Sequence, residues 1–428
     1  MRDLFLVLLF PIFLYYTFRT PIIALYLWFW TSMYPMSNWL YGFGLSLRFN
    51  LVFSLITIFG YIFTIKDKPL FKPVGLFVLV IVFWAHSVLG VYFYGNTYYQ
   101  WNTFDEFSKI IIFFIFCTLM VRKQEHFEAL LMFLCLGLGF LGLMEGLKYI
   151  VTAGSHNVIG MKGPLGDNNK VALGLNMMIP LMLYLFKSAK HIRIKQLYLA
   201  VIVGSVFAVL GTDSRGGFLA LAFMAIYYWW STGRNFSVLF LIGLIAVPAL
   251  FFLPEEWFQR MDTMNSAESD SSFVNRVTFW KINLLVAFDY PLTGIGFDTS
   301  AFPVIWKGYT NSLSSIYMFV DTPPPNKGFV AHSIYFEVLG NQGLLGFLLF
   351  ISIILTALNN IKTMIKQYGK QAWESKLLQA VKVSLLTYCV GGAALNAAYF
   401  ELFYLLIAFV ICFKLKLIAN DATKNKFK

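Results

Sequence analysis

The stretch Val74-Gly-Leu-Phe-Val-Leu-Val-Ile-Val-Phe-Trp-Ala-His-Ser-Val-Leu-Gly-Val-Tyr92 runs without a single Asp, Glu, Lys or Arg. It approaches the length of about 20 apolar residues needed to cross the hydrocarbon core of a bilayer. Similar runs recur at roughly 4–18, 21–35, 48–65, 107–121, 127–150, 169–187, 196–212, 215–231, 236–253, 334–359, 377–397 and 401–418. The reading is an all-α, polytopic membrane bundle of 12 or 13 spans, the count depending on whether the first two segments, joined by Arg19–Pro21, form a tight hairpin or lie partly in the interface.

Composition agrees. Of 428 residues, 59% are hydrophobic and only 13% charged, where soluble domains carry about 25%. The net charge of +12 does not indicate nucleic acid, because the basic residues fall in short clusters between apolar runs. Lys66/Lys68/Lys72, Arg122/Lys123, Lys187/Lys190/Arg193/Lys195, Arg234, Lys362/Lys366/Lys370 and the tail after Lys414 form one set of loops. The positive-inside rule makes that set and the C-terminus cytoplasmic. The N-terminus, which lacks a small-residue cleavage site, is expected to be the first membrane element. Cys117, Cys135, Cys389 and Cys412 all sit in apolar runs and read as small buried side chains.

Three units follow: an N-terminal bundle (1–253), one long extracytoplasmic loop (254–331), and C-terminal spans with a basic tail (332–428). In the loop, Phe273, Val277, Trp280, Leu284 and Phe288 recur at helical spacing between Asp270-Ser271-Ser272 and Pro291. They predict an amphipathic surface helix with its aromatic side on the bundle or lipid. Arg276 and Lys281 fall on or beside its polar side. Met264–Asp270 is expected to be mobile. The Gly142/Gly146 pair reads as a close helix contact.

Four stretches can carry chemistry. In Gly211-Thr-Asp-Ser-Arg-Gly-Gly217, Asp213 or Ser214 can cap a helix whose first turn offers free N–H groups, while Arg215 adds a fork of donors suited to phosphate. A snorkelling arginine is the bland alternative. Arg276 reads as a solvated or stacked surface residue unless its loop folds back toward Arg215. His332, in Val330-Ala-His-Ser-Ile-Tyr-Phe-Glu-Val-Leu-Gly340, marks the mouth of a membrane helix, where an imidazole can take a proton from a hydroxyl; the alternative is an interfacial hydrogen-bonding histidine. Asp167, Asn168 and Asn169 can cap the next span or hold sugar hydroxyls. Glu145 is the clearest acid within a span. The scarcity of others weighs against a proton-coupled transporter, and no GxxxxGK[ST] or HExxH motif is present.

Together these stretches resemble the O-antigen ligase/Wzy superfamily, through Ser214-Arg215-Gly216, Arg276 in a large loop, and Ala331-His332-Ser333. The likeness is closest to the O-glycosylation ligases associated with exosortase A systems, with Met1-Arg2-Asp3, Gly166-Asp-Asn-Asn169, Asp270-Ser271-Ser272 and Ala331–Gly340. One departure is that Asn341-Gln342 follow Gly340 where the subgroup often has an acid; Glu337, a turn earlier, is a partial substitute. The resemblance implies a GT-C-type, metal-independent, cofactor-free, inverting glycosyltransferase of the bacterial inner membrane, with its site facing the periplasm. Its donor would be a glycan on undecaprenyl diphosphate. Its acceptor would be lipid A-core, protein or a growing glycan. Arg215 and Arg276 would bind the diphosphate and His332 would activate the acceptor hydroxyl, while Asp167, Asn168, Asn169, Ser214, Glu337 and Lys281 are candidates for glycan or acceptor contacts or for capping. A polymerase using the same site, and a transporter or flippase of lipid-linked sugar, are the competing readings.

Overall fold

A computed structural model describes residues 2–36, 40–65, 73–94, 98–161, 163–231, 233–234 and 271–426. The expected span 236–253, the Lys66/Lys68/Lys72 cluster and Met264–Asp270 lie outside the described residues. Within them the chain is helical, and the only β feature is a bridge between Met318 and Val320.

The helices are α1 Arg2–Arg19, α2 Pro21–Met33, α3 Phe49–Phe63, α4 Gly75–Tyr94, α5 Tyr98–Met120, α6 Gln124–Leu134, α7 Phe140–Val151, α8 Asn168–Ser188, α9 Ile192–Leu210 and α10 Arg215–Ser231, followed by α11 Ser271–Asp289, α12 Pro303–Tyr309, α13 Ile334–Tyr368, α14 Trp373–Gly391 and α15 Glu401–Lys426. Seven helical stretches among the described residues are long and apolar enough to cross a membrane: Gly75–Tyr94, Gln124–Val151, Asn168–Ser188, Ile192–Leu210, Ile334–Tyr368, Trp373–Ala394 and Glu401–Asn420. The second joins α6 and α7 through a π-helical turn at Cys135–Gly139. Leu8–Arg19, Pro21–Met33 and Phe49–Phe63 are apolar but shorter. The described helices that meet both criteria are therefore fewer than the 12 or 13 spans expected.

The centre of the bundle is α15. Every side chain from Glu401 to Phe413 is buried, as expected for a helix that is apolar all round. Phe127 of α6 stacks on Phe413 at 4.5 Å and meets Phe409 edge-on at 4.9 Å, which ties α6 to that centre. The Gly142/Gly146 pair does mark a close helix contact. A Cβ at Gly146 would run into the carbonyl oxygen of Gly204 on α9. All four cysteines are free; Cys117, Cys135 and Cys412 are buried and Cys389 is partly so.

The described part of the long loop, 271–331, is a small packed unit. Its helix α11 begins at Ser271, as the cap signal predicts, but its buried face differs from the expected one. Val274, Val277, Phe279, Ile282, Val286 and Ala287 are buried, while Phe288 is 57% exposed. Phe279, Ile282 and Val286 form a core with Ile295, Trp306 and Leu313. Lys281 is corrected most strongly. It is 2% exposed, and its Nζ donates to the Thr322 hydroxyl at 3.0 Å and to the Val320 carbonyl at 3.3 Å. The period-3.6 reading placed Lys281 by its charge, whereas the return strap of the loop covers that side and gives the ammonium two acceptors.

The start of α13 and the loop before it interlock through a break in the helix. Gly343 has φ +69° and ψ −171° inside α13. A Cβ there would lie 2.5 Å from the Tyr290 carbonyl oxygen and 2.6 Å from that of Pro291. Both the left-handed backbone and the close approach require glycine.

Candidate active site

Two helix starts and one loop converge beside the first turn of α8. Asp167 caps α8, its carboxylate accepting from the Lys170 N–H at 2.9 Å. Asn168 donates to the Thr212 carbonyl at 2.7 Å. Ser214 caps α10, accepting from the Gly217 N–H at 3.0 Å, and its hydroxyl donates to the Asn169 side-chain oxygen at 2.7 Å. Capping therefore falls to Asp167 and Ser214, while the two asparagines bind the α8 start to the α10 start. Arg215 is the first residue of α10, partly buried.

His332 approaches from α13. It sits two residues before that helix in the left-handed region, with φ +46°, a conformation that a non-glycine residue holds only when its surroundings fix it. Two contacts supply the fixing. Trp280 of α11 donates its indole N–H to the Ala331 carbonyl at 2.8 Å, and its ring stacks on Phe336 at 5.1 Å and 9°. Arg276, one turn before Trp280, thus lies on a helix pinned to the histidine turn. Burial, the positive charge of Arg276 and, more weakly, that of Lys170 lower the His332 pKa against the opposing pull of Asp167. The shift favours the uncharged ring.

A short turn joins the two approaches. A Cβ at Gly216 would touch Ala394 at 3.2 Å and the Gly391 carbonyl at 3.7 Å, and one at Gly392 would meet Ile334 at 2.8 Å. The α10 start and the α13 start therefore rest on the same segment, Gly391–Ala394. His332 is in electrostatic reach of Arg276, Asp167 and Lys170, and Arg215 follows Ser214 at the start of α10.

Lys170 also lines a cavity with a second polar group, of which the sequence reading singled out only Glu337. Asp298 has φ +50°. Its N–H donates to the Asn341 side chain at 2.9 Å, and its carboxylate accepts from Asn396 at 2.9 Å and from the Tyr99 hydroxyl at 3.2 Å. Burial raises its pKa, while Lys170 and the two donors oppose the rise. Glu337, 6% exposed, accepts from the Ala398 N–H at 2.9 Å. Asn341 and Gln342, at the positions where an acid was expected, instead donate to the Tyr399 hydroxyl at 3.4 and 3.0 Å. Glu145 pairs with Lys148 at 2.6 Å and His156 at 2.7 Å, away from this group. Among the described residues no cluster of three or more His, Cys, Asp or Glu side chains could hold a metal ion.

Comparison with known families fits this division. Residues 199–351 match the family described as O-antigen ligase, a segment that contains Arg215, Arg276 and His332. Residues 1–190 match a family of unknown function. No curated protein matches the chain. The first match supports the resemblance to the O-antigen ligase/Wzy superfamily, and with it a membrane glycosyltransferase of ligase or polymerase type.

Proposed function

We propose that the protein is a metal-independent, inverting glycosyltransferase of the inner membrane, moving a glycan from undecaprenyl diphosphate to an acceptor hydroxyl on the periplasmic face. The observation that carries this reading is His332, fixed in a left-handed turn that the Trp280–Ala331 hydrogen bond ties to the helix bearing Arg276.

The chemistry needs a proton acceptor on one side of the anomeric carbon and cations on the other. The acceptor oxygen forms its bond to that carbon as the bond to the diphosphate oxygen breaks. The bonding electron pair leaves with the diphosphate, and the acceptor proton passes to the imidazole of His332. Arg215 and Arg276 stabilise the departing charge, a task that planar, permanently charged guanidinium groups perform bidentately. The positive end of the α10 helix dipole adds to the same field. Attack opposite the leaving group inverts the anomeric configuration.

Replacing His332 by Ala in a transfer assay tests the mechanism. Near-normal transfer by a folded variant would end it. A polymerase would use the same residues with a lipid-linked repeat as acceptor. Repeated elongation of one lipid-linked chain identifies the polymerase, and single transfer to lipid A-core or protein identifies the ligase or O-glycosylation ligase. The O-antigen ligase match favours bond formation over the transport of lipid-linked sugar.

A further inference from the structure

We infer that the N-terminal half of the chain builds the acceptor pocket, and that this pocket, walled by Trp28, Tyr99, Lys170, Asp298, Glu337 and Asn396, takes the hydroxyl-rich end of a saccharide. The inference rests on the glycosyltransferase reading and assigns a role to the segment that matches a family of unknown function.

The cavity measures about 690 Å³, within the range of about 300–1,000 Å³ usual for small-molecule sites. Much of its wall comes from α2, α5 and the flanks of α3 and α8, all within residues 1–190. Its inner end, with Asp298, Glu337, Asn396 and their neighbours up to Glu401, comes from the part that carries His332. Two of these residues link it to the histidine turn. The Glu337 N–H donates to the carbonyl of Ser333, the residue after His332, at 2.8 Å, and Asn396 lies two residues past the Gly391–Ala394 turn that supports the α13 start.

Its chemistry suits a sugar. Glu106, Asp298, Glu337 and Glu401 line the cavity with Lys109 and Lys170, and neither Arg215 nor Arg276 belongs to its wall among the described residues. Carboxylates and amides accept hydroxyl protons in pairs, and the wall offers them beside the hydroxyls of Thr31, Ser32 and Thr103. Aromatic faces at Trp28, Tyr99, Phe107 and Tyr399 can cover the apolar face of a pyranose ring. One polar atom also awaits a donor. Asn396 gives its N–H to Asp298, but its buried carbonyl oxygen accepts no hydrogen bond among the described residues. A sugar hydroxyl is a donor of the right kind.

The test uses the full-length protein in proteoliposomes with its glycan on undecaprenyl diphosphate as donor. Lipid A-core, a lipid-linked glycan repeat and a threonine-containing peptide serve as acceptors. Asp298→Asn and Asn396→Ala alter the inner end, and Asn102→Trp, at an exposed position on the rim, narrows the mouth without touching the packed interior. Each should raise the KM for a saccharide acceptor at least tenfold while the affinity for undecaprenyl diphosphate stays within twofold of wild type. Unchanged KM in all three variants, a parallel loss of undecaprenyl diphosphate affinity, or transfer to the peptide alone would overturn the assignment. A wild type that never cleaves the donor would overturn the transferase reading itself, an outcome distinct from an active enzyme indifferent to the pocket variants.

Discussion

The indole N–H of Trp280 donates to the carbonyl oxygen of Ala331 at 2.8 Å, so the helix carrying Arg276 is fastened to the residue next to His332. Replacing Trp280 by Phe keeps an aromatic ring against Phe336 but leaves the Ala331 carbonyl without this donor. An unsatisfied buried acceptor costs about 1–3 kcal/mol. The expected outcome is a turnover loss of about tenfold or more, with undecaprenyl diphosphate affinity much less affected. Steady-state kinetics beside a direct lipid-binding measurement check this.

The pH dependence of transfer should report His332. Its pKa lies below the ordinary imidazole value, chiefly through burial and then through Arg276. Only the neutral ring can accept a proton, so the rate should hold at neutral pH and fall as pH drops through that lowered value. Arg276→Gln removes a positive neighbour and should move the acid limb to higher pH, in addition to slowing the reaction. The same shift acts on folding. The unfolded chain takes up the proton first, so stability declines as pH falls below the normal histidine range. A pH–rate profile of both proteins is the measurement, and an acid limb that stays in place in Arg276→Gln would contradict the coupling.

Arg215→Lys preserves charge but not the fork of donors. Hydrogen bonds to charged groups contribute about 1.5–3 kcal/mol, so transfer should drop by about 10- to 100-fold. Excess EDTA should leave the wild-type rate unchanged if the arginines carry the leaving-group charge. Single-turnover rates with and without the chelator distinguish the two cases.

Gly343→Ala should destabilise the protein whatever its effect on chemistry. The left-handed backbone alone costs about 1–3 kcal/mol for a side chain, and the new methyl would meet two carbonyl oxygens at 2.5 and 2.6 Å. A fall of several degrees in Tm, read by thermal unfolding in detergent, is expected.

The apolar helices were legible because one property, a long apolar run, decides each of them locally. Expected bounds such as 169–187 and 215–231 fall within a residue of Asn168–Ser188 and on Arg215–Ser231, where Asp167 and Ser214 announce the helix start. The buried face of α11 was less legible, since the fold of the returning chain rather than the α11 sequence decides that Lys281 is covered. Of the Asp298 group only Glu337 was legible. Tyr99, Lys170, Asp298, Glu337 and Asn396 come from five separate stretches, and only tertiary packing gathers them. A partial signal lay in Gly294-Ile-Gly296 just before Asp298, since both glycines have positive φ and re-aim the chain toward Asn341.

The turn Gly391–Ala394 supports the first residues of α10 and of α13 at once. It acts as a shared bearing. A bulkier residue at either Gly216 or Gly392 would push on this one segment, so a change at the start of one helix is passed to the start of the other, and the spacing of Arg215 from His332 hangs on four small residues rather than on the long spans.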